Sequence, residues 1–94
     1  MSIRDPLTRR HFTVRGRVQG VGFRWFTLDT AEALGLTGWV SNRKDGTVEG
    51  EAQGTPEALD EFERRLRAGN PAARVDGIET QTRAAKSETT FRII

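Results

Sequence analysis

Cysteine and tyrosine are absent from these 94 residues, and histidine and methionine occur once each. Without cysteine there is no disulfide, no thiolate nucleophile and no cysteine metal site. A lone histidine, His11, falls short of the several ligands a zinc site takes, so no metal is expected. His11 stands at a strand start without a Ser or Asp partner and reads as a surface residue. No apolar run reaches the roughly 18 residues needed to cross a bilayer. The N-terminus also lacks the charged-then-apolar order of a secretory signal. Cytoplasmic residence and no membrane partner are the expectations.

Charge of one sign is scarce too. Fifteen basic residues against 13 acidic ones leave +2, and the pI near 9.9 reflects arginine content more than a basic excess. Nucleic-acid binders concentrate their basic residues on one face or stripe. Here Arg64, Arg65 and Arg67 are interleaved with Glu61 and Glu63, the pattern of a solvated helix face. No nucleic-acid partner is expected.

A chain of this length forms one small domain, and a two-layer sandwich is the economical way to give it one core. Residues 1–9 are polar, contain Pro6 and show no period, so a flexible leader is expected there, followed by a domain over 10–94. Phe12, Val14, Gly16 and Val18 alternate with polar residues in the two-residue period of a half-buried strand. From Phe23 to Leu34 the spacing turns helical, with Phe23, Phe26, Leu28, Ala31 and Leu34 on one stripe and Gly35 at the C-cap. Residues 38–42 and 47–52 read as strands joined through Asp45-Gly46, a hairpin signal. Thr55-Pro56-Glu57 opens a second helix, with Leu59, Phe62 and Leu66 inward, and Gly69-Asn70-Pro71 ends it. Residues 72–82 and 89–94 close the chain as strands. This order, β-α-β-β-α-β plus a short terminal strand, predicts a ferredoxin-like α+β sandwich: an antiparallel sheet with two helices on one face.

Chemistry concentrates between the first strand and the first helix, at Gly16-Arg17-Val18-Gln19-Gly20-Val21-Gly22-Phe23-Arg24. Glycines let the backbone turn sharply and bare its N–H groups. Consecutive N–H groups make an anion nest, a helix N-terminus adds its positive end, and arginine adds a planar fork of donors. The stretch is not a nucleotide P-loop, since Gly-x-x-x-x-Gly-Lys-Ser/Thr is absent. Nor is it a dinucleotide fingerprint, because Trp25 stands where the third small residue belongs. Nucleophilic catalysis is poorly supplied, with no Gly-x-Ser-x-Gly elbow.

An RNA-recognition module uses the same chain order, and Gln19–Phe26 shares two glycines and two phenylalanines with its stacking motif. That motif lies on the third strand of such modules, whereas here it follows the first, and Val21 replaces a required aromatic. The RNA reading fails on position and on residue type. Asn42, ending the second strand, is a further candidate. Its amide can donate and accept at once, so it suits either holding a water beside a bound phosphate or forming the adjacent turn.

The stretch Gly16–Arg24 resembles the first signature of the acylphosphatase family, and Gly38-Trp39-Val40-Ser41-Asn42-Arg43-Lys44-Asp45-Gly46-Thr47-Val48-Glu49 resembles its second. The similarity extends over about residues 10–94. It implies a ferredoxin-like fold and hydrolysis of the carboxyl–phosphate bond of acyl phosphates, with water as nucleophile and no metal or cofactor. It further implies a phosphate loop of Gln19, Gly20, Val21, Gly22 and Phe23, an essential phosphate-binding Arg24, and a water-orienting Asn42. A small acyl phosphate is then the expected substrate, inorganic phosphate or sulfate a competitive ligand, and a monomer the expected state. A noncatalytic anion-binding or regulatory domain on the same scaffold is the alternative. The chain departs from the family in lacking a tyrosine near its C-terminus and in carrying Arg43 after the asparagine, where animal members often have threonine.

Overall fold

A computed structural model describes residues 7–94. The elements follow as β1 (Thr8–Arg17), α1 (Phe23–Ala33), β2 (Thr37–Asn42), β3 (Val48–Gly54), α2 (Pro56–Ala68), β4 (Arg74–Arg83) and β5 (Phe91–Ile93). The sheet order is β4-β1-β3-β2-β5. Each neighbouring pair among β4, β1, β3 and β2 is antiparallel, as the pattern predicts, while β5 runs parallel to β2 and makes the sheet mixed. A short strand entering from the far end of the fold reaches the free edge of β2 only in that direction. Thr8 and Arg9, read above as part of the leader over 1–9, instead pair with Gly54 and Gln53 inside β1. Residues 1–6 lie outside the described part.

Alternation along β1 and β3 sends Phe12, Val14, Val48 and Ala52 toward the helices, where they join Leu59, Phe62 and Leu66 of α2 in the core. Phe12 and Phe62 meet edge to face with ring centroids 5.4 Å apart. The stripe of α1 differs in part from the apolar reading. Phe23 and Ala31 are buried, but Thr27 and Thr30 are buried beside them, and Phe26, Leu28 and Leu34 are only partly covered. Burial of the two hydroxyls is tolerable because they donate to Phe23 O at 2.9 Å and Phe26 O at 2.7 Å, one turn back. Helix α1 ends in a Schellman motif: Gly35 N–H reaches Glu32 O and Leu36 N–H reaches Ala31 O, with Gly35 at φ 70°.

The opposite sheet face is polar. Arg9 is buried and donates to Glu51 Oε1 at 2.5 Å, Gln53 Oε1 at 3.2 Å and Glu88 Oε1 at 2.6 Å. His11 is not the unpartnered surface residue its position suggested. It lies inside β1, with Nε2 at 3.2 Å from Glu49 and Nδ1 at 3.2 Å from Glu51. On this face the two central strands carry Arg9, His11 and Thr13 against Glu49, Glu51 and Gln53. They hold no phenylalanine or tryptophan pair on which bases could stack.

Candidate active site

Strands β1 and β2 both run antiparallel to β3, so their C-terminal ends share one rim of the sheet. The antiparallel β4 begins at that rim, where Arg74 pairs with Arg17. Three connections therefore meet there: residues 18–22 between β1 and α1, 43–47 between β2 and β3, and 69–73 between α2 and β4. Two amides tie them together. Gln19 Nε2 donates to Arg43 O at 2.7 Å and Thr47 O at 2.9 Å. From the other side, Asn70 Nδ2 donates to Val21 O at 2.7 Å.

Within the first connection, Gly20 and Gly22 adopt φ of 72° and 79°, the left-handed region that favours glycine. Gly16, which the two-residue period also places in the first strand, lies in β1. It sits at a register shift beside Arg15, and a Cβ there would lie 2.1 Å from Arg74 O. Its service is to let β4 approach. Val18 and Phe23 are buried and pin the two ends of the loop to the core, while Val21 packs against the same cluster.

The two helix starts contrast. At α2, Thr55 Oγ1 accepts from Ala58 N–H at 3.2 Å, Pro56 occupies the first turn and Glu57 faces the positive end. At α1 the N-cap is Gly22, no side chain caps the helix, and the first turn holds no acidic residue. Orphan N–H groups at a helix start are satisfied by a cap, by water or by a ligand. Directly after this uncapped start comes Arg24. Among the described arginines, Arg15, Arg17, Arg67 and Arg92 are exposed and unpaired, whereas the buried or partly buried Arg9 and Arg10 are paired with carboxylates. Arg24 alone is partly buried without a hydrogen bond or ion pair to another described side chain.

Asn42 ends β2 opposite Val48 and is exposed. The side chain that organises its turn is Asp45, whose Oδ1 accepts from Thr47 N–H at 3.0 Å and Thr47 Oγ1 at 2.6 Å. Those bonds hold the Asp45 carboxyl below the ordinary aspartate value. The Asn42 amide makes no hydrogen bond to a described residue, which leaves it available. It lines an open hollow of about 420 Å³ with Arg43, Lys44, Asp45 and Glu49. Two carboxylates in that lining oppose an anion, and none of residues 19–24 contributes to it. The loop is the better anion cradle.

Of the candidates Gln19, Gly20, Val21, Gly22, Phe23, Arg24 and Asn42, the first four lie on the β1–α1 connection, Phe23 and Arg24 open α1, and Asn42 ends β2 beside the connection that Gln19 grips. Both amide hydrogens of Gln19 are already donated, so its side chain braces the loop and only its backbone N–H is left for an anion. Phe23, being buried, can likewise contribute only main chain. Asn70 was missed, since Gly69-Asn70-Pro71 reads as a helix stop and nothing local links it to a loop 49 residues earlier.

A family model described as acylphosphatase matches residues 10–93. An acylphosphatase of Moorella thermoacetica is 49% identical over 87 residues, which cover 93% of this chain and 94% of that protein. Among solved structures, an acylphosphatase from Coxiella burnetii superposes with TM-score 0.92 at 35% identity over the whole of both chains. One from Bacillus subtilis gives TM-score 0.90 at 39% identity, covering 95% of this chain and 99% of that one.

Proposed function

This chain belongs to the acylphosphatase family, and from that premise we propose that it hydrolyses the carboxyl–phosphate bond of a small acyl phosphate at the 19–24 loop. The observation that carries the reading is Arg24, half-buried and without a described side-chain partner beside a helix start that no side chain caps. Backbone N–H groups of the loop and of the first turn of α1, with the Arg24 guanidinium, bind the phosphoryl oxygens. Asn42 accepts a hydrogen bond from water and orients it for in-line attack on phosphorus. The new P–O bond forms as the bond to the acyl oxygen breaks. That oxygen leaves with the electron pair as a carboxylate, and the water's proton passes to the phosphate product and solvent.

So sparse a site suffices for this reaction. The leaving carboxylate has a conjugate acid of pKa roughly 4–5, like side-chain carboxyls, so it departs without a general acid. Phosphoryl transfer passes through a loose transition state, and its catalysis is mostly positioning and charge stabilisation. Donors held in place before the reaction stabilise the equatorial oxygens at no further reorganisation cost. Every proposed contact comes from one chain, which favours a working monomer. A cytoplasmic location suits a chain without cysteine.

Hydrolysis of acetyl phosphate or benzoyl phosphate by the purified protein in chelator tests the reading. Turnover competitively inhibited by inorganic phosphate is the expected result. Binding of phosphate without turnover would make the domain a noncatalytic anion binder.

A further inference from the structure

We propose that Asn70 is a positioning residue for the anion loop: by holding the Val21 carbonyl outward, it aims the Gly22 N–H at the bound phosphoryl group. The inference rests on the function proposed for the loop.

Asn70 Nδ2 lies 2.7 Å from Val21 O. In a trans peptide the C=O and N–H of one unit point in opposite directions, and no cis peptide occurs among the described residues. A carbonyl drawn toward the α2–β4 connection therefore turns the Gly22 N–H away from it. The same contact keeps the carbonyl's negative end off an anion. Gly22 has a free choice of φ, so the Val21–Gly22 peptide gains from an external restraint. Gly22 is also close enough that a Cβ built on it would lie 3.9 Å from Asn70 Nδ2.

Asn70 is itself well held. Its carbonyl accepts from Ala73 N–H at 2.9 Å, closing a turn with Pro71 at the second position, and Gly69 before it sits at φ 72°. The amide has one reasonable orientation, since a flip would set Oδ1 against Val21 O. In that orientation Oδ1 is buried without a hydrogen-bond partner. One hydrogen bond gained and one acceptor buried unpaired are opposing effects of similar size. Asn70 therefore contributes little net stability, and its hydrogen bond is better explained by what it does to the loop.

Asn70→Ala and Asn70→Asp test this, with thermal melts, acetyl phosphate kinetics and amide NMR under inorganic phosphate titration. Asn70→Ala is expected to melt near the wild-type temperature, with the phosphate inhibition constant raised and kcat/KM lowered about 5- to 10-fold, as for one lost hydrogen bond. The phosphate-induced shift of the Gly22 amide should shrink. Asn70→Asp keeps the shape but sets a carboxylate oxygen against Val21 O, and should lose more. Wild-type phosphate inhibition and an unchanged Gly22 response in both variants would overturn the inference while leaving the proposed function standing. Should the wild-type protein neither turn over nor respond to phosphate, the function falls. The phosphate-free spectrum still decides on Asn70: displaced Val21 carbonyl and Gly22 nitrogen resonances in Asn70→Ala support peptide orientation, and unmoved ones refute it.

Discussion

Replacing Arg24 by lysine should separate binding from folding. Arg24 has no hydrogen bond or ion pair to another described side chain, so its replacement orphans no carboxylate. Stability should stay within about 0.5 kcal/mol of wild type, the usual range for such positions. For a domain of this size that is a melting shift of at most about 4 °C. Binding is a different matter. A guanidinium can meet a phosphoryl group with two parallel charge-assisted hydrogen bonds, and an ammonium replaces one of them at best. Losing one such bond costs about 1.5–3 kcal/mol. At 1.4 kcal/mol per decade, the phosphate inhibition constant should rise about 10- to 150-fold. Turnover should suffer more, because charge on the equatorial oxygens is handled by pre-set donors whose individual removal costs on the order of 10²–10³ in rate. Phosphate inhibition of acetyl phosphate hydrolysis, measured beside melts of both proteins, is the assay. A variant that melts more than 10 °C lower yet keeps the wild-type inhibition constant would assign Arg24 to the fold and refute the cradle.

Asn42→Ala should lower kcat and kcat/KM together by about 10²-fold, as for loss of one positioned polar contact, with phosphate inhibition retained. Its melt should be unchanged, because Asp45 carries the turn's side-chain hydrogen bonds; a large melting drop with normal kcat would return Asn42 to a turn role. Gly22→Ala meets no atom closer than 3.9 Å, so its cost is the left-handed backbone alone, about 1–2 kcal/mol or a melting decrease of some 4–16 °C. Gly16→Ala, with a Cβ 2.1 Å from Arg74 O, should be the more damaging of the two in calorimetry, and equal losses would contradict the close approach of β4 there. Burial by itself would raise the Glu51 carboxyl, but hydrogen bonds from Arg9 and His11 and the charges of Arg9 and Lys86 outweigh it and hold the group below its ordinary 4.5. A lowered folded-state value means stability that is fully present above the unfolded value and lost as pH falls through the folded one. Melting temperature should therefore decline from about pH 4.5 downward, and Glu51→Gln should flatten part of that decline in a pH series of melts.

The element order was legible in the sequence because its determinants are local. Two-residue alternation, helical spacing, the Asp45-Gly46 turn, the Thr55-Pro56 start and the Gly35 stop act within a few residues, and the order of elements follows them. The loop and its arginine were legible for the same reason: left-handed glycines before an uncapped helix are a contiguous pattern. Four matters were decided only by tertiary structure. Arg9 looked like leader because a charged residue in a polar stretch gives no sign of Glu51, Gln53 and Glu88, which lie 42 to 79 residues away and make its burial possible. Gly16 gave no local sign that β4 would run against it, and His11 looked solitary until β3 brought two glutamates to its ring. Asn70 read as punctuation, and only the approach of the α2–β4 connection brings its amide to the Val21 carbonyl. Local patterning dictates which segments are strands, helices and turns. Which side chains become partners depends on how the sheet orders those segments, and no property of a single residue or its neighbours encodes that distance.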